Sequence, residues 1–207
     1  MFNIHLKGKF RSEEDLKEGR ELPYNAIMYD EGDNIWEVFF TGFICGIPVF
    51  ALMLAIIVFR FKTLNFFLHF NIETMIVFTV TLIINYLLQY VHEIIHAFFY
   101  PKESEKEIWK YPEQGAWFIY CDALMNRNRF IAMCLAPAII LGIIPFIIWI
   151  FIANYLPSLY NICFVFSCVL LVLGAIGDFG NVYNTLTQVP KKAKVMNYGL
   201  HSFWILD

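Results

Sequence analysis

Four long apolar runs, at residues 36–59, 72–100, 130–153 and 159–180, constrain this chain more than anything else in it. A bilayer core about 30 Å thick is crossed by roughly 20 apolar residues in a helix, and each run is long enough. In lipid the backbone must pair its own N–H and C=O groups, which leaves helices or a closed barrel. Barrel strands alternate apolar and polar residues, and these runs do not. The expected fold class is an all-α polytopic membrane protein with four transmembrane helices. Composition agrees, since 59% of the 207 residues are hydrophobic, 18% aromatic and only 16% charged.

Residues 1–35 are polar and read as an N-terminal arm, with residues 36–207 as one membrane domain. The arm has no apolar core ahead of a small-residue cleavage site, so the first helix is expected to act as its own insertion signal. Lys and Arg in short loops set orientation. Arg60 and Lys62 follow the first helix, and the turn NYLPS between the third and fourth has no basic residue. Arg20 in the arm, Lys102, Lys106, Lys110, Arg127 and Arg129 in the central loop, and Lys191, Lys192 and Lys194 in the tail lie on the other side. Both termini are therefore expected in the cytoplasm. A formal charge of −3 without a basic block excludes a nucleic-acid partner and leaves the lipid bilayer and membrane-associated proteins.

Cys45, Cys121, Cys134, Cys163 and Cys168 form no C-x-x-C pair, and four of them fall in apolar runs. They read as small hydrophobes rather than as a disulfide or zinc framework. The loop between the second and third helices contains GAWFIYCDALMNRNRF, in which Trp117, Ile119 and Cys121 alternate with Phe118, Tyr120 and Asp122. This pattern, with a break at 126–128, predicts a short β-hairpin there.

The second run ends in QYVHEIIHAFFYP, which places His92, Glu93 and His96 where ionisable groups are costly. Residues four apart share a helix face, so His92 and His96 can offer two imidazoles to one Zn²⁺. Glu93 is then placed to take a proton from an attacking water, as in HExxH peptidases. The plain alternative is a set of interfacial polar groups satisfied by one another or by water. A catalytic zinc normally takes three protein ligands, so a third must come from elsewhere.

Asp178, in LGAIGDFGNVYN, is the best third ligand. It lies 19 residues past Leu159, and His92 lies 20 past Ile72. At about 1.5 Å per residue both are about 30 Å along helices running the same way. Gly174, Gly177 and Gly180 would let the fourth helix approach the second closely. Asn181 and Asn184 are candidates to orient Asp178 or hold substrate, and His201 and Asn181 to stabilise an oxyanion. The G-x-x-x-G of Gly42 and Gly46 reads as helix packing, and Pro137 and Pro145 should kink the third helix or free carbonyl groups.

The stretches HEIIHAFFYPK, GAWFIYCDALMNRNRFIAMCLAP and GDFGNVYNTLTQVPKKA, followed by GLHSFW, resemble a family of zincin membrane peptidases. The resemblance implies a multi-pass membrane zinc peptidase with His92 and His96 as metal ligands and Glu93 as the catalytic glutamate. The site is also similar to that of the site-2 intramembrane proteases, which draw an aspartate ligand from another membrane helix, although GDFGN here replaces their Leu-Asp-Gly. The expected function is zinc-dependent hydrolysis of a membrane-associated protein or peptide, at or within the membrane. The alternative is a non-catalytic metal-binding membrane protein that binds or regulates another. Glu93 favours catalysis, because a structural zinc site has no use for a general base.

Overall fold

Charged and alternating segments at the two ends and in the middle of the chain pair with one another, and this pairing organises the molecule. The computed structural model describes residues 3–32, 35–64, 70–113 and 115–206. Strand β1 (Ile4–Lys9), the short helix α1 (Glu14–Lys17) and strand β2 (Ile27–Met28) precede α2 (Ile35–Thr63). Helix α3 (Ile72–Phe99) begins where the Asn71 side chain accepts the Thr74 N–H at 2.9 Å. It ends before Pro101, which cannot continue a helix. Arg129 donates to the Phe99 and Tyr100 carbonyls that the end of α3 leaves unpaired.

Strands β3 (Lys106–Tyr111), β4 (Ala116–Tyr120) and β5 (Met125–Asn126) fill the central loop. A long third helical segment follows, made of α4 (Arg127–Pro137), a π-helical turn at Ala138–Ile143 and α5 (Ile144–Ile152). The π turn lies between Pro137 and Pro145, where missing N–H groups shift the hydrogen-bond register. Then come α6 (Ser158–Leu173), α7 (Ile176–Gln188), β6 (Lys194–Tyr198) and β7 (His201–Ile205).

Among the described residues, three segments are long and apolar enough to cross a membrane, Phe39–Thr63, Ile72–Phe99 and Arg127–Tyr155. They become four if α6 and α7, bent by 41°, count as one. Sequence alone suggested a straight fourth helix over 159–180. It breaks instead at Gly174 and Ala175, where Ala175 leaves helical geometry with φ −94° and ψ 16°.

The all-α expectation needs correction too, because the described residues form two small sheets beside the helices. One has the order β1-β3-β4, with β1 parallel to β3 and β3 antiparallel to β4; the other is antiparallel with the order β2-β7-β6-β5. The hairpin expected in the central loop is β3–β4, so β4 pairs with the strand before it. Sequence periodicity missed the rest because β2 and β5 are two residues long and β1 is almost wholly exposed, which leaves no apolar face to read.

These pairings gather the polar segment 3–32, the central loop and the tail at one end of the helices. Glu107 of β3 is nearly buried between Arg20 at 2.8 Å and Lys7 at 3.1 Å. Burial pushes its carboxyl up, but the hydrogen bonds from Arg20 and Lys7 outweigh that and hold it below the ordinary value. Lys106, counted from sequence among the basic residues of the central loop, is fully buried and donates to the Pro101 and Ser104 carbonyls at 2.7 and 2.9 Å. At the opposite end, Arg60 of α2 donates to Asn154 at 3.0 Å, beside the turn into α6.

Candidate metal centre

The histidines sit in the last two turns of α3, and the glycines of the neighbouring helices let α7 reach them. A Cβ at Gly42 of α2 would lie 1.9 Å from the Ile176 carbonyl oxygen, so α2 and the start of α7 touch backbone to backbone. A Cβ at Gly174 would lie 2.9 Å from the Gln89 amide nitrogen of α3. At Gly177 it would meet nothing within 4 Å, because Gly177 opens onto a cavity. Asp178 follows in the first turn of α7, where the helix dipole favours a carboxylate.

His92 Nε2 lies 3.1 Å from Asp178 Oδ2, His96 Nε2 lies 3.4 Å from Asp178 Oδ1, and the two imidazole nitrogens are 3.1 Å apart. Both histidines are buried and Asp178 nearly so. Donors about 2.0–2.1 Å from one tetrahedral ion are separated by about 3.3 Å, so the two histidine nitrogens stand at ligand spacing from each other and each from one Asp178 oxygen.

The proton positions fit as well. The Met133 carbonyl can only accept, so His96 Nδ1, 3.1 Å away, carries its hydrogen and the Nε2 lone pair is left facing Asp178. That carbonyl is available because Pro137, four residues on, has no N–H to give it. Two imidazole nitrogens and a carboxylate turned on one another in a buried space match a cation. His92 Nδ1 is buried with no hydrogen-bond partner among the described residues.

Glu93 points into the same cavity of about 330 Å³. Its Oε2 accepts the Ile119 N–H at 2.8 Å. In an antiparallel strand the N–H and C=O of one residue point to the same edge, and alternate residues face opposite edges. Strand β4 is an edge strand, so Trp117 and Ile119 present their backbone outward, toward α3.

Asn181 lines the cavity with Gly174, Gly177 and Asp178. Asn184 and His201 lie outside it. Asn184 is buried and accepts from Gln188 at 3.3 Å, while His201 Nδ1 is 3.5 Å from Glu31 and half exposed. Sequence reasoning missed Tyr100 and Asn197, which also line the cavity. The spacing His92, His96, Tyr100 could have flagged the first, and nothing local marks the second. Burial pushes the Tyr100 phenol well above its ordinary value, so it keeps its proton at neutral pH.

A family model described as "Putative zincin peptidase" matches residues 85–194. No curated protein and no solved structure matches the chain. The matched stretch carries His92, Glu93, His96 and Asp178 and covers just over half of the 207 residues, and the chain belongs to that zincin peptidase family.

Proposed function

We propose that this protein is a zinc-dependent membrane peptidase, with His92, His96 and Asp178 holding Zn²⁺ and Glu93 acting as general base. The observation that carries the reading is the meeting of three metal-type donors within 4.8 Å of one another, with Glu93 in the same cavity. When bound, Zn²⁺ supplies the charge that polarises a carbonyl and makes water acidic. Glu93 takes the proton of the attacking water and returns it to the leaving amine.

The outward edge of β4 supports the substrate side of this reading. An extended peptide can pair with Trp117 and Ile119 by strand addition, which brings its carbonyls to the cavity. In doing so it takes the Ile119 N–H from Glu93 and frees the carboxylate. A helical segment hides its carbonyls in its own hydrogen bonds, so the peptide cleaved is locally unwound. His92 lies about 30 Å along α3 from Ile72, near the face of the bilayer where the strands gather. The substrate is accordingly a membrane-associated polypeptide. Four crossings, with the strand-bearing end in the cytoplasm, accord with the Lys and Arg distribution.

Glu93→Gln removes the base without removing a ligand. In purified full-length protein it should lower hydrolysis of a quenched-fluorescent peptide pool by about 10²-fold or more, with zinc content by elemental analysis unchanged. Undiminished turnover would overturn the peptidase reading and favour a metal-binding protein without catalysis.

A further inference from the structure

We propose that Tyr100 is a catalytic residue, the hydrogen-bond donor to the oxyanion formed when the scissile carbonyl is attacked, and that Asn197 is its positioning residue. The inference rests on the peptidase reading above and adds to it a side-chain hydrogen-bond donor for the oxyanion.

A phenol has one hydrogen to give and can also accept. Asn197 Nδ2 donates to the Tyr100 oxygen at 3.3 Å, and no described residue accepts the Tyr100 hydrogen. The side chain is 2% exposed, yet it lines the cavity with His92, Glu93 and His96. The unclaimed hydrogen is therefore available to a group inside the cavity. Tyr100 follows Glu93 by seven residues, two turns along the same face.

The direction of the Asn197 amide is fixed from behind. Asn197 Oδ1 accepts the Ser202 hydroxyl at 3.3 Å, which leaves Nδ2 for Tyr100. The Ser202 N–H in turn donates to Glu31 at 3.3 Å. From Ser202 through Asn197 to Tyr100 each group donates to the next, and the last donor in the series faces the cavity. Arg129 holds the Tyr100 carbonyl at 3.1 Å and anchors the backbone.

In the step assigned to Tyr100, the water oxygen bonds to the carbonyl carbon, its proton passes to Glu93, and the carbonyl π pair moves onto oxygen. That oxygen accepts the Tyr100 O–H without taking its proton. The pair then returns, the C–N bond breaks, and the proton on Glu93 goes to the amine, giving an acid and an amine.

The test uses full-length protein in detergent with the same quenched-fluorescent peptide pool. Tyr100→Phe should lower kcat by about 10²-fold, with KM within about threefold and zinc content unchanged. A phosphinic pseudopeptide, whose tetrahedral anionic group mimics the oxyanion, should lose affinity by a similar factor. Asn197→Ala should lower kcat by about tenfold alone and by nothing further in the Tyr100→Phe background, because it acts through the phenol. A general structural role for Asn197 would instead lower kcat in both backgrounds. Turnover in Tyr100→Phe within about threefold of wild type, or loss of zinc from that variant, overturns the assignment while Glu93-dependent hydrolysis stands. A wild type without Glu93-dependent turnover overturns both readings.

Discussion

Asp178 and Asp122 are both carboxylates within reach of the α3 end of the molecule, and their surroundings separate them. Each Asp178 oxygen faces one histidine nitrogen, at 3.1 and 3.4 Å, whereas Asp122 Oδ2 is engaged by Arg20 Nε at 3.2 Å. Asp178→Ala should therefore lower zinc affinity by more than about 100-fold, beyond the usual loss for a residue outside the ligand set, and Asp122→Ala should leave it unchanged. Competition titration with a zinc chelator measures both, and equal affinities for wild type and Asp178→Ala would remove Asp178 from the ligand set. The three converging residues were legible in the sequence because two share a helix face and the third is a costly charge at matching depth. Tyr100 could have been flagged by its spacing from His92 and His96, but Asn197 and Ile119 could not, since their place at the cavity depends on strand pairings between distant segments. Proline 137 was half legible: a freed carbonyl follows from its missing N–H, but its taker, His96, belongs to another helix.

Among the elements, α7 is the one whose position has to be maintained, because it is short, follows a bend and carries Asp178. Its hold on α2 is specified by glycine: a methyl group at position 42 would enter the space of the Ile176 carbonyl oxygen, two residues before Asp178. Gly42→Ala should destabilise the protein by about 1–3 kcal/mol through overpacking and weaken zinc retention at the same time. Thermal melting and chelator titration on the same sample check this, and a variant with wild-type values in both would show that α2 does not set the place of α7. Helix packing by the G-x-x-x-G pair was readable from sequence, though its partner was not. The sequence pattern also ran straight through the α6–α7 bend, since no charged residue interrupts the run between Ser158 and Gly177, and the break lies in the backbone geometry at Ala175.

For the whole molecule, strand pairing bears on topology. Strand β5 precedes α4 and β6 follows α7, yet the two are paired, so whatever leaves the strand-bearing end with α4 returns to it with α7. Cysteines introduced at exposed Lys102 and Lys192 should react with an impermeant reagent from one side of sealed vesicles, and one at exposed Tyr155 from the other. Labelling of position 155 from the same side as 192 would show that α6 and α7 do not complete a crossing. The pairing of β6 with β7 has a consequence in time as well as space. His92, Glu93 and His96 are synthesised long before Asp178, and the Asn197–Ser202 contact that directs Tyr100 forms only once the β6–β7 hairpin exists. On the peptidase reading, a chain still emerging from the ribosome carries the HExxH helix into the bilayer without its third ligand or its oriented phenol, and so cannot cut the unfolded membrane segments beside it, its own included.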